Sequence, residues 1–240
     1  MRKEENKMKM NKKKVFVTAV AVSLIAILSM GTIAWFNAND EVTNKFYVAD
    51  SDQDGKPDFS IDVTEDGDAE DDGLEYKDIL PGDKLDKEPV VTNTGDYDQY
   101  VRVNIIIDKD FADEVASEQG VNPKFLKLEE LFDGLDTSMW LGANGNAYNS
   151  YSNIFTEDTA NEAYIYTLYY NATLAKDASI TVFEKVLIPS TFVQSDMEFG
   201  TDGFEITVKA EAVQVKNLNA TNAYAAFKEV NWAEGTEYTK

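Results

Sequence analysis

The sequence predicts a mainly β protein, a jelly-roll-like antiparallel β-sandwich with a few short helices in the connections. Apolar and polar residues alternate with a period of two in several separate runs, which is typical of strands that pack on one face. Long, irregular connections join these runs, which favours a sandwich over a doubly wound α/β sheet. The chain is 43% hydrophobic and 12% aromatic, enough to bury a core.

Two strands and a turn are predicted in the first part of this fold. Between residues 36 and 48 most even positions are apolar, with Asp40 and Asn44 as the breaks; the apolar residues are Phe36, Ala38, Val42, Phe46 and Val48. Residues 58–63 form a short second strand, and an acidic loop over residues 64–73 follows it. A turn is expected after residue 80, because Pro81 presets φ and Gly82 accepts the positive φ of a type II turn.

The clearest core strand is predicted at residues 99–108. Alternate residues of this run are apolar and share one face: Val101, Val103, Ile105 and Ile107. Arg102, Asn104 and Asp108 lie on the opposite face, which we expect to be wet. Three later runs have the same pattern and predict further strands at residues 162–171, 179–188 and 203–215.

Three helices are predicted in the connections. They lie at residues 110–117, 123–132 and 222–230, and in the second of them apolar residues recur at helical spacing. The helices are short relative to the strands, so they do not change the fold class.

Residues 1–35 are predicted to be a signal peptide. They hold seven lysines and arginines against two glutamates, and the basic part leads directly into sixteen uncharged residues, 15–30. This run is short for a membrane span, which needs about 20 residues, but suits the apolar region of a signal peptide. Small residues place the cut near Ala34 or Trp35, just before Phe36. An uncleaved N-terminal anchor is the alternative.

The expected mature chain is therefore one exported domain over residues 36–240. Because the segment before it is the predicted leader, we expect this domain in the extracellular matrix or at the cell surface. About 205 residues can bury a full core without disulfides.

Composition excludes several classes of function. The formal net charge is −22, and the chain has neither histidine nor cysteine. Without histidine there is no Ser/His/Asp or Cys/His catalytic pair, and without cysteine there is no disulfide, thiolate metal site or redox motif. The acidic balance argues against nucleic acid as a partner, because phosphate backbones are bound by lysine and arginine.

An aspartate-rich segment resembles the start of a calcium-binding loop. Its aspartates stand at the first, third, fifth and ninth loop positions, with a glycine at the sixth, and they are Asp50, Asp52, Asp54 and Asp58. The twelfth position is Ile61 instead of glutamate, and Asp62 follows one place late. Calcium is therefore a candidate cofactor with these five aspartates as ligands. A solvated acidic turn is the alternative.

Two further patterns have a structural explanation beside a functional one. Asp136-Thr137-Ser138 is similar to the Asp-Thr-Gly of aspartic proteases, but it occurs once, so a turn aspartate is expected. A run of tyrosines could stack on a sugar, although packing between strands is the commoner use: Tyr164, Tyr166, Tyr169 and Tyr170. No catalytic residue is assigned.

Five short segments follow one another in an informative order. They are residues 31–36 (GTIAWF), 79–84 (ILPGDK), 91–95 with 100–103 (VTNTG and YVRV), 183–186 (FEKV) and 210–214 (AEAVQ). Together they resemble the TasA/camelysin family of secreted bacterial matrix proteins. In that family the first segment is a processing site cut by a dedicated signal peptidase.

The resemblance implies a jelly-roll-like sandwich that assembles into fibres of a biofilm matrix. It also implies a competing function, because camelysins are described as cell-surface metallopeptidases, although a zinc site without histidine or cysteine would be unusual. A calcium-dependent surface adhesin is a third hypothesis, which depends on the aspartate-rich segment and the tyrosine run.

Strand addition is the expected route of assembly, and it follows from the alternation at residues 36–48. Cleavage near Trp35 would leave this segment as a free N-terminal strand that can pair with a sheet edge of the next copy. Head-to-tail addition does not close, so it makes filaments. The alternative is that the strand pairs within its own sheet. The expected partners are other copies of the chain, other matrix proteins and, during export, the signal peptidase.

Overall fold

The computed structural model describes residues 37–41, 44–45, 59–65, 74–197, 199 and 203–230. Within them the chain is mainly β, as predicted, and the paired strands are antiparallel. In chain order the strands are β1 (Asn37–Glu41), β2 (Asn44–Lys45), β3 (Ile61–Glu65), β4 (Lys84–Asp86), β5 (Pro89–Asn93), β6 (Gln99–Asp108), β7 (Phe132–Asp133), β8 (Trp140–Leu141), β9 (Ile154–Asp158), β10 (Ala163–Leu174), β11 (Ser179–Thr181), β12 (Lys185–Leu187) and β13 (Ile206–Gln214). The α-helices are α1 (Lys109–Glu118), α2 (Leu128–Leu131) and α3 (Ala223–Glu229).

The strands form three sheets. Sheet A has the order β2-β1-β13-β6-β10-β8, and β9 also pairs with β10. Sheet B has the order β11-β5-β3, and sheet C has the order β4-β12-β7. The N-terminal strands β1 and β2 therefore form one edge of the large sheet, next to β13.

The main core lies between the sheets. It combines Val103 and Ala212 of sheet A with Val63 and Val91 of sheet B and Val186 of sheet C. Such packing of antiparallel sheets over a shared apolar layer fits the predicted β-sandwich. The more specific jelly-roll connectivity stays a prediction.

The turn predicted after residue 80 is confirmed. The backbone N–H of Asp83 donates to the carbonyl of Leu80 at 3.0 Å, and Gly82 has φ +90°, the conformation that a type II turn requires at its third position. The Asp83 carboxylate also accepts from the Leu80 N–H at 2.7 Å. The turn contacts the segment after β12, because the Gly82 N–H donates to the carbonyl of Ile188 at 3.1 Å.

Helix α1 begins and ends close to the predicted residues because both ends have local signals. The Asp108 side chain caps its start by accepting from the N–H of Phe111 at 3.4 Å and of Asp110 at 3.0 Å. Gly120 follows its end with φ +67°, and its N–H donates to the carbonyl of Ser117. The helix buries Phe111, Ala112, Val115 and Ala116 against the main core.

Three predicted elements are wrong in their extent. The strand predicted at residues 58–63 is β3, Ile61–Glu65, which begins later and continues into the predicted acidic loop. Residues 179–188 form two short strands, β11 in sheet B and β12 in sheet C, because the chain crosses between the sheets. Residues 123–132 form a 3₁₀ turn, Pro123–Phe125, the single turn α2 and then β7. The helix is interrupted because the Gln119 side chain bonds the backbone N–H and C=O of Lys127, at 2.8 and 3.1 Å.

The N-terminal alternating segment also differs from its prediction where it is described. The sequence predicts one strand, whereas Asp40 pairs with Lys45 and Glu41 pairs with Asn44, so β1 and β2 form an antiparallel pair. A two-residue connection is the shortest common link in such a pair. Separately, none of the described helices is long and apolar enough to cross a bilayer.

Candidate functional site at the edge of the large sheet

Strand β13 carries two different rows of residues. On the face toward the main core, Val208, Ala210 and Ala212 are fully buried. On the opposite face stand Lys209, Glu211 and a fully buried Val213, which belongs to a second apolar cluster. Both faces of this strand, the third from the β2 edge of sheet A, are therefore covered along much of its length.

Strand β1 completes the edge by pairing with β13. The register partners are Asn37 with Val213, Ala38 with Ala212, Asn39 with Glu211, Asp40 with Ala210, and Glu41 with Lys209. The alternative considered from the sequence, pairing of this strand within its own sheet, is thus the arrangement of the single chain. On its other side β13 pairs with β6 over its whole length.

A buried polar network lies on the outer face of sheet A beside this edge. The Arg102 guanidinium donates to the Glu211 carboxylate, and their side chains are 0% and 1% exposed. Asn104 donates to the same carboxylate at 3.2 Å, and Thr167 donates to the Asn104 carbonyl oxygen at 2.6 Å. Arg102 is the register partner of both Glu211 and Tyr169, so one cross-strand row joins β13, β6 and β10.

Helix α3 covers this network. The Phe227 ring lies 4.5 Å from the guanidinium carbon of Arg102, a cation–π contact in a dry environment. The Tyr169 ring packs edge-on against Phe227 and Tyr224, with centroids 5.6 and 5.3 Å apart. The helix begins at Asn222, whose side chain accepts from the N–H of Ala225 at 2.9 Å.

The wet outer face predicted for residues 99–108 is therefore wrong at its centre. Arg102 is fully buried and Asn104 is 4% exposed. The reason is that Glu211 supplies the opposite charge and α3 covers the pair, so neither charge is left without a partner in the interior.

A second buried ion pair lies at the end of β3. The Lys87 ammonium donates to the Glu65 carboxylate, and these side chains are 12% and 0% exposed. Burial raises the pKa of the nearby Tyr76, and the negative charges of Glu65 and Asp86 raise it further. The ion pair thus joins β3 of sheet B to the link between β4 of sheet C and β5 of sheet B.

The residues predicted to bind calcium are not brought together within the described chain. Asp62 lies in β3 opposite Thr92 of β5. The other four, Asp50, Asp52, Asp54 and Asp58, lie outside the described residues. Across residues 59–65, 74–197 and 203–230 there is no group of three or more acidic side chains arranged to hold a metal ion.

The other predicted site residues divide in the same way. Of the assembly strand, Ala38 lies in β1, while Phe36, Val42, Phe46 and Val48 fall outside the described residues. The predicted cleavage positions Ala34 and Trp35 also lie outside them. Within residues 36–48 the structure thus describes β1, which pairs with β13, and β2, which pairs with β1.

The tyrosine run is packed within the fold and offers no flat stacking surface. Tyr166 and Tyr169 are each 1% exposed, and Tyr164 is also buried. Burial raises the pKa of Tyr166, and burial followed by the hydrogen bond to Asp113 raises that of Tyr164. The reading of this run as a sugar platform is wrong for these three residues.

Asp136 has the structural role that the sequence favours. Its carboxylate caps the 3₁₀ turn Thr137–Met139 by accepting from the Ser138 N–H at 2.9 Å and from the Ser138 hydroxyl at 2.6 Å. These two hydrogen bonds hold the pKa of Asp136 below its ordinary value. A turn aspartate with its acceptor oxygens engaged in this way is a cap.

The segments that carry the family resemblance have structural roles where they are described. The segments at residues 100–103 and 210–214 contain Arg102 and Glu211 and pair with each other. In the segment at 91–95, the Asn93 amide donates to the carbonyls of Tyr97 and Leu174 at 2.8 and 2.9 Å. In the segment at 183–186, Phe183 stacks on Phe132 with ring centroids 4.2 Å apart.

Comparisons with known proteins add no relative to this description. No protein-family model matches the chain, and searches of curated proteins and of solved structures find no match either. The structure therefore supports only a general class, an antiparallel β protein. In the described residues its first strand, β1, lies between the edge strand β2 and β13 of the largest sheet.

Sequence reasoning missed the most distinctive feature of this site, the buried pair of Arg102 and Glu211. Both residues occupy polar positions of alternating strands, so neither stands out in the sequence. Their separation of 109 residues in sequence hides the pairing until the strands are placed side by side.

Proposed function

We propose that this chain is a secreted structural subunit of an extracellular biofilm matrix, which assembles into fibres by adding its N-terminal strand to the next subunit. The observation that carries the proposal is the place of β1: it is the N-terminal strand, and it completes a sheet edge whose other strands belong to the rest of the domain. The leader and the resemblance to the TasA/camelysin family support the same reading.

The edge geometry suits exchange between copies. An antiparallel strand is held mainly by main-chain hydrogen bonds, so β1 of a second copy can make the same bonds to β13 as the chain's own β1. Without β1, β13 would present an unpaired edge of apolar alternation, which is a template for another strand. Each subunit would then give one strand and receive one, which produces an open filament.

The negative net charge is expected to oppose this assembly. The full chain carries −22, and the predicted leader is positive, so the mature chain is more negative still. Such subunits repel one another at low ionic strength, and salt or acid weakens the repulsion. We expect fibres to form more readily in these conditions, and calcium to act at least by the same screening.

The test uses the absence of cysteine from the chain. Ala38 and Ala212 are register partners, so their Cα atoms lie within the ~4.4–6.8 Å that a disulfide spans. Ala38→Cys with Ala212→Cys is expected to give a ladder of linked subunits on a denaturing gel after assembly. In dilute monomer the same variant is expected to give a linkage within one chain.

A matched control places the two cysteines where exchange does not occur. Asp62 and Thr92 are register partners on β3 and β5, inside the domain. Asp62→Cys with Thr92→Cys is expected to link within one chain whether or not fibres form. If fibres form while the Ala38/Ala212 pair still links only within single chains, strand addition is refuted. If electron microscopy finds no fibres in any condition of salt, acid or calcium, the structural role itself is refuted.

A further inference from the structure

The apolar pattern of β13 does not by itself fix the register of an added strand. The row toward the main core reads Val208, Ala210, Ala212, all small or medium apolar residues. A strand that slips by two residues keeps its faces and meets nearly the same row. A second feature is therefore needed to select one register, and this question arises only if the proposed strand addition takes place.

The outer row of β13 offers such a feature, because its charges differ from one position to the next. Lys209 is opposite Glu41, and Glu211 is opposite Asn39. A cation thus stands against a carboxylate, and a carboxylate stands against a neutral amide. Cross-strand pairs of opposite charge stabilise a sheet, whereas like charges directly opposite destabilise it.

Glu211 is held rigidly at this position. Its carboxylate is bonded by Arg102 and by Asn104 at 3.2 Å, and its side chain is 1% exposed. Because Arg102 already neutralises Glu211, a second carboxylate placed opposite it would be desolvated without a cation to balance its charge, which is costly in an interior. We propose that Lys209 and Glu211 form a charge code on β13 that sets the register at which an N-terminal strand adds.

Comparison of the neighbouring registers supports this code. A slip of two residues in one direction places Glu41 opposite Glu211, which sets two carboxylates against each other. A slip of two in the other direction places Glu41 opposite Thr207 and leaves Asn39 opposite Lys209, so the opposite-charge pair is lost. The observed register is the one of the three that pairs Glu41 with the lysine.

Within the pair of β1 and β2, the register partner of Glu41 carries no opposite charge. Its partner on β2 is the neutral Asn44, whereas Asp40 is opposite Lys45. When this pair of strands leaves one β13 and adds to another, Glu41 therefore carries its charge to the new edge. Glu41 is therefore the residue of the added strand whose pairing with Lys209 selects the register.

The test reverses the charge on the added strand and follows the register with disulfides. In the Glu41→Lys variant the observed register sets two cations against each other, whereas a slip of two brings the new lysine opposite Glu211. The same slip moves Ala38 from opposite Ala212 to opposite Gln214. We expect Ala38→Cys to link with Ala212→Cys in the parent chain, and with Gln214→Cys in the Glu41→Lys chain.

A second variant tests whether restoring an opposite-charge pair restores the register. Glu41→Lys with Lys209→Glu restores an opposite-charge pair in the original register, so the link of residue 38 is expected to return to residue 212. Lys209→Glu alone is expected to raise the concentration needed for assembly about two- to fivefold. Lys124→Glu makes the same change in net charge on an exposed 3₁₀ turn away from the edge, and is expected to leave that concentration within about twofold of the parent value.

The two proposals fail in different ways. Strand exchange is judged by the size of the linked bands, which are single chains or ladders of chains. Register is judged by which residue, 212 or 214, forms the disulfide with residue 38. If Glu41→Lys still links only to residue 212, or if the double reversal does not restore that link, the charge code is overturned and the fibre proposal stands. In dilute monomers the same link reports the register of the chain's own β1, so a change of register is distinguishable from a failure to form fibres.

Discussion

Breaking the buried pair of Arg102 and Glu211 is expected to destabilise the fold strongly. Both side chains are essentially unexposed. Glu211→Leu leaves the guanidinium in an apolar interior without its carboxylate, and Arg102→Met leaves the carboxylate with only the amide of Asn104. Removing one partner of a buried ion pair costs about 3–5 kcal/mol. A domain is stabilised by about 5–15 kcal/mol in total, so either change removes a large part of the free energy of unfolding.

Replacing both charges together is expected to cost much less. Two apolar side chains of similar volume would join the neighbouring cluster of Tyr100, Val213 and Phe227, and neither would leave a charge behind. The loss in the Arg102→Met/Glu211→Leu variant should therefore be well below the sum of the two single losses. This gap is the coupling energy of the pair.

Urea unfolding followed by tryptophan fluorescence measures these losses, since Trp140 is buried in the core. A loss of about 3 kcal/mol moves the midpoint down by about 1 M or more, given a slope of about 1–3 kcal/mol/M. The control is Asp86→Asn, which breaks the exposed ion pair with Lys185 and should cost less than about 1 kcal/mol. If the double variant loses the full sum of the single losses, the two side chains do not act as a pair and the reasoning is refuted.

Two further predictions concern the core. Tyr166→Phe removes a hydrogen bond of 2.8 Å to the carbonyl of Pro123 and should cost about 1 kcal/mol at neutral pH. Burial raises the pKa of Tyr166, so the native chain keeps this proton after the unfolded chain loses it, and stability falls as pH rises above about 10. Unfolding curves of parent and variant should therefore converge above about pH 10, and curves that stay parallel would contradict the cause given. Gly95→Ala would place a Cβ atom 2.8 Å from the Ser60 nitrogen, so thermal unfolding should show a loss of about 1–3 kcal/mol in the free energy of unfolding. No measurable loss would mean that the backbone at residues 59–60 moves to make room.

Elements with strong local signals were predictable from the sequence. Strand β6 has the predicted bounds because its alternation begins and ends at polar residues, and Asp108 then caps the next helix. The turn is set by Pro81, whose ring restricts φ, and by Gly82, which accepts a positive φ. In each case the deciding interactions lie within a few residues along the chain.

Features that depend on distant partners were not predictable. Alternation shows which residues of β6 share a face, but it does not say what covers each face. Arg102 is buried because of a carboxylate on β13 and an aromatic ring on α3, both more than 100 residues away. Likewise, the alternation of apolar and polar residues over 179–188 has the same period in β11 of sheet B and in β12 of sheet C. The sequence therefore does not show where the chain crosses from one sheet to the other.

The candidate edge combines both kinds of information. Residues 36–48 were identified by their alternation, and the partner of their described part is known only from the register with β13. The charges at Lys209 and Glu211 look like ordinary polar positions of an alternating strand until Glu41 and Asn39 stand opposite them. A sequence pattern can therefore identify a strand that is able to add to an edge, while the edge it fits is decided by side chains elsewhere.

The surroundings of β13 bear on whether exchange is physically reasonable. An acceptor strand must keep its shape when its neighbour leaves, and β13 pairs with β6 along all nine of its residues. Its inner face packs in the main core, and its outer face is tied to β6 through Arg102 and covered beside that pair by α3. By contrast, β1 spans five residues, and the strand on its other side, β2, has two described residues. Since main-chain pairing scales with the length of the ladder, the five-residue pairing of β1 with β13 is expected to open more readily than the nine-residue pairing of β13 with β6. This asymmetry is what the proposed strand addition requires, because a subunit would then exchange β1 without unfolding its core.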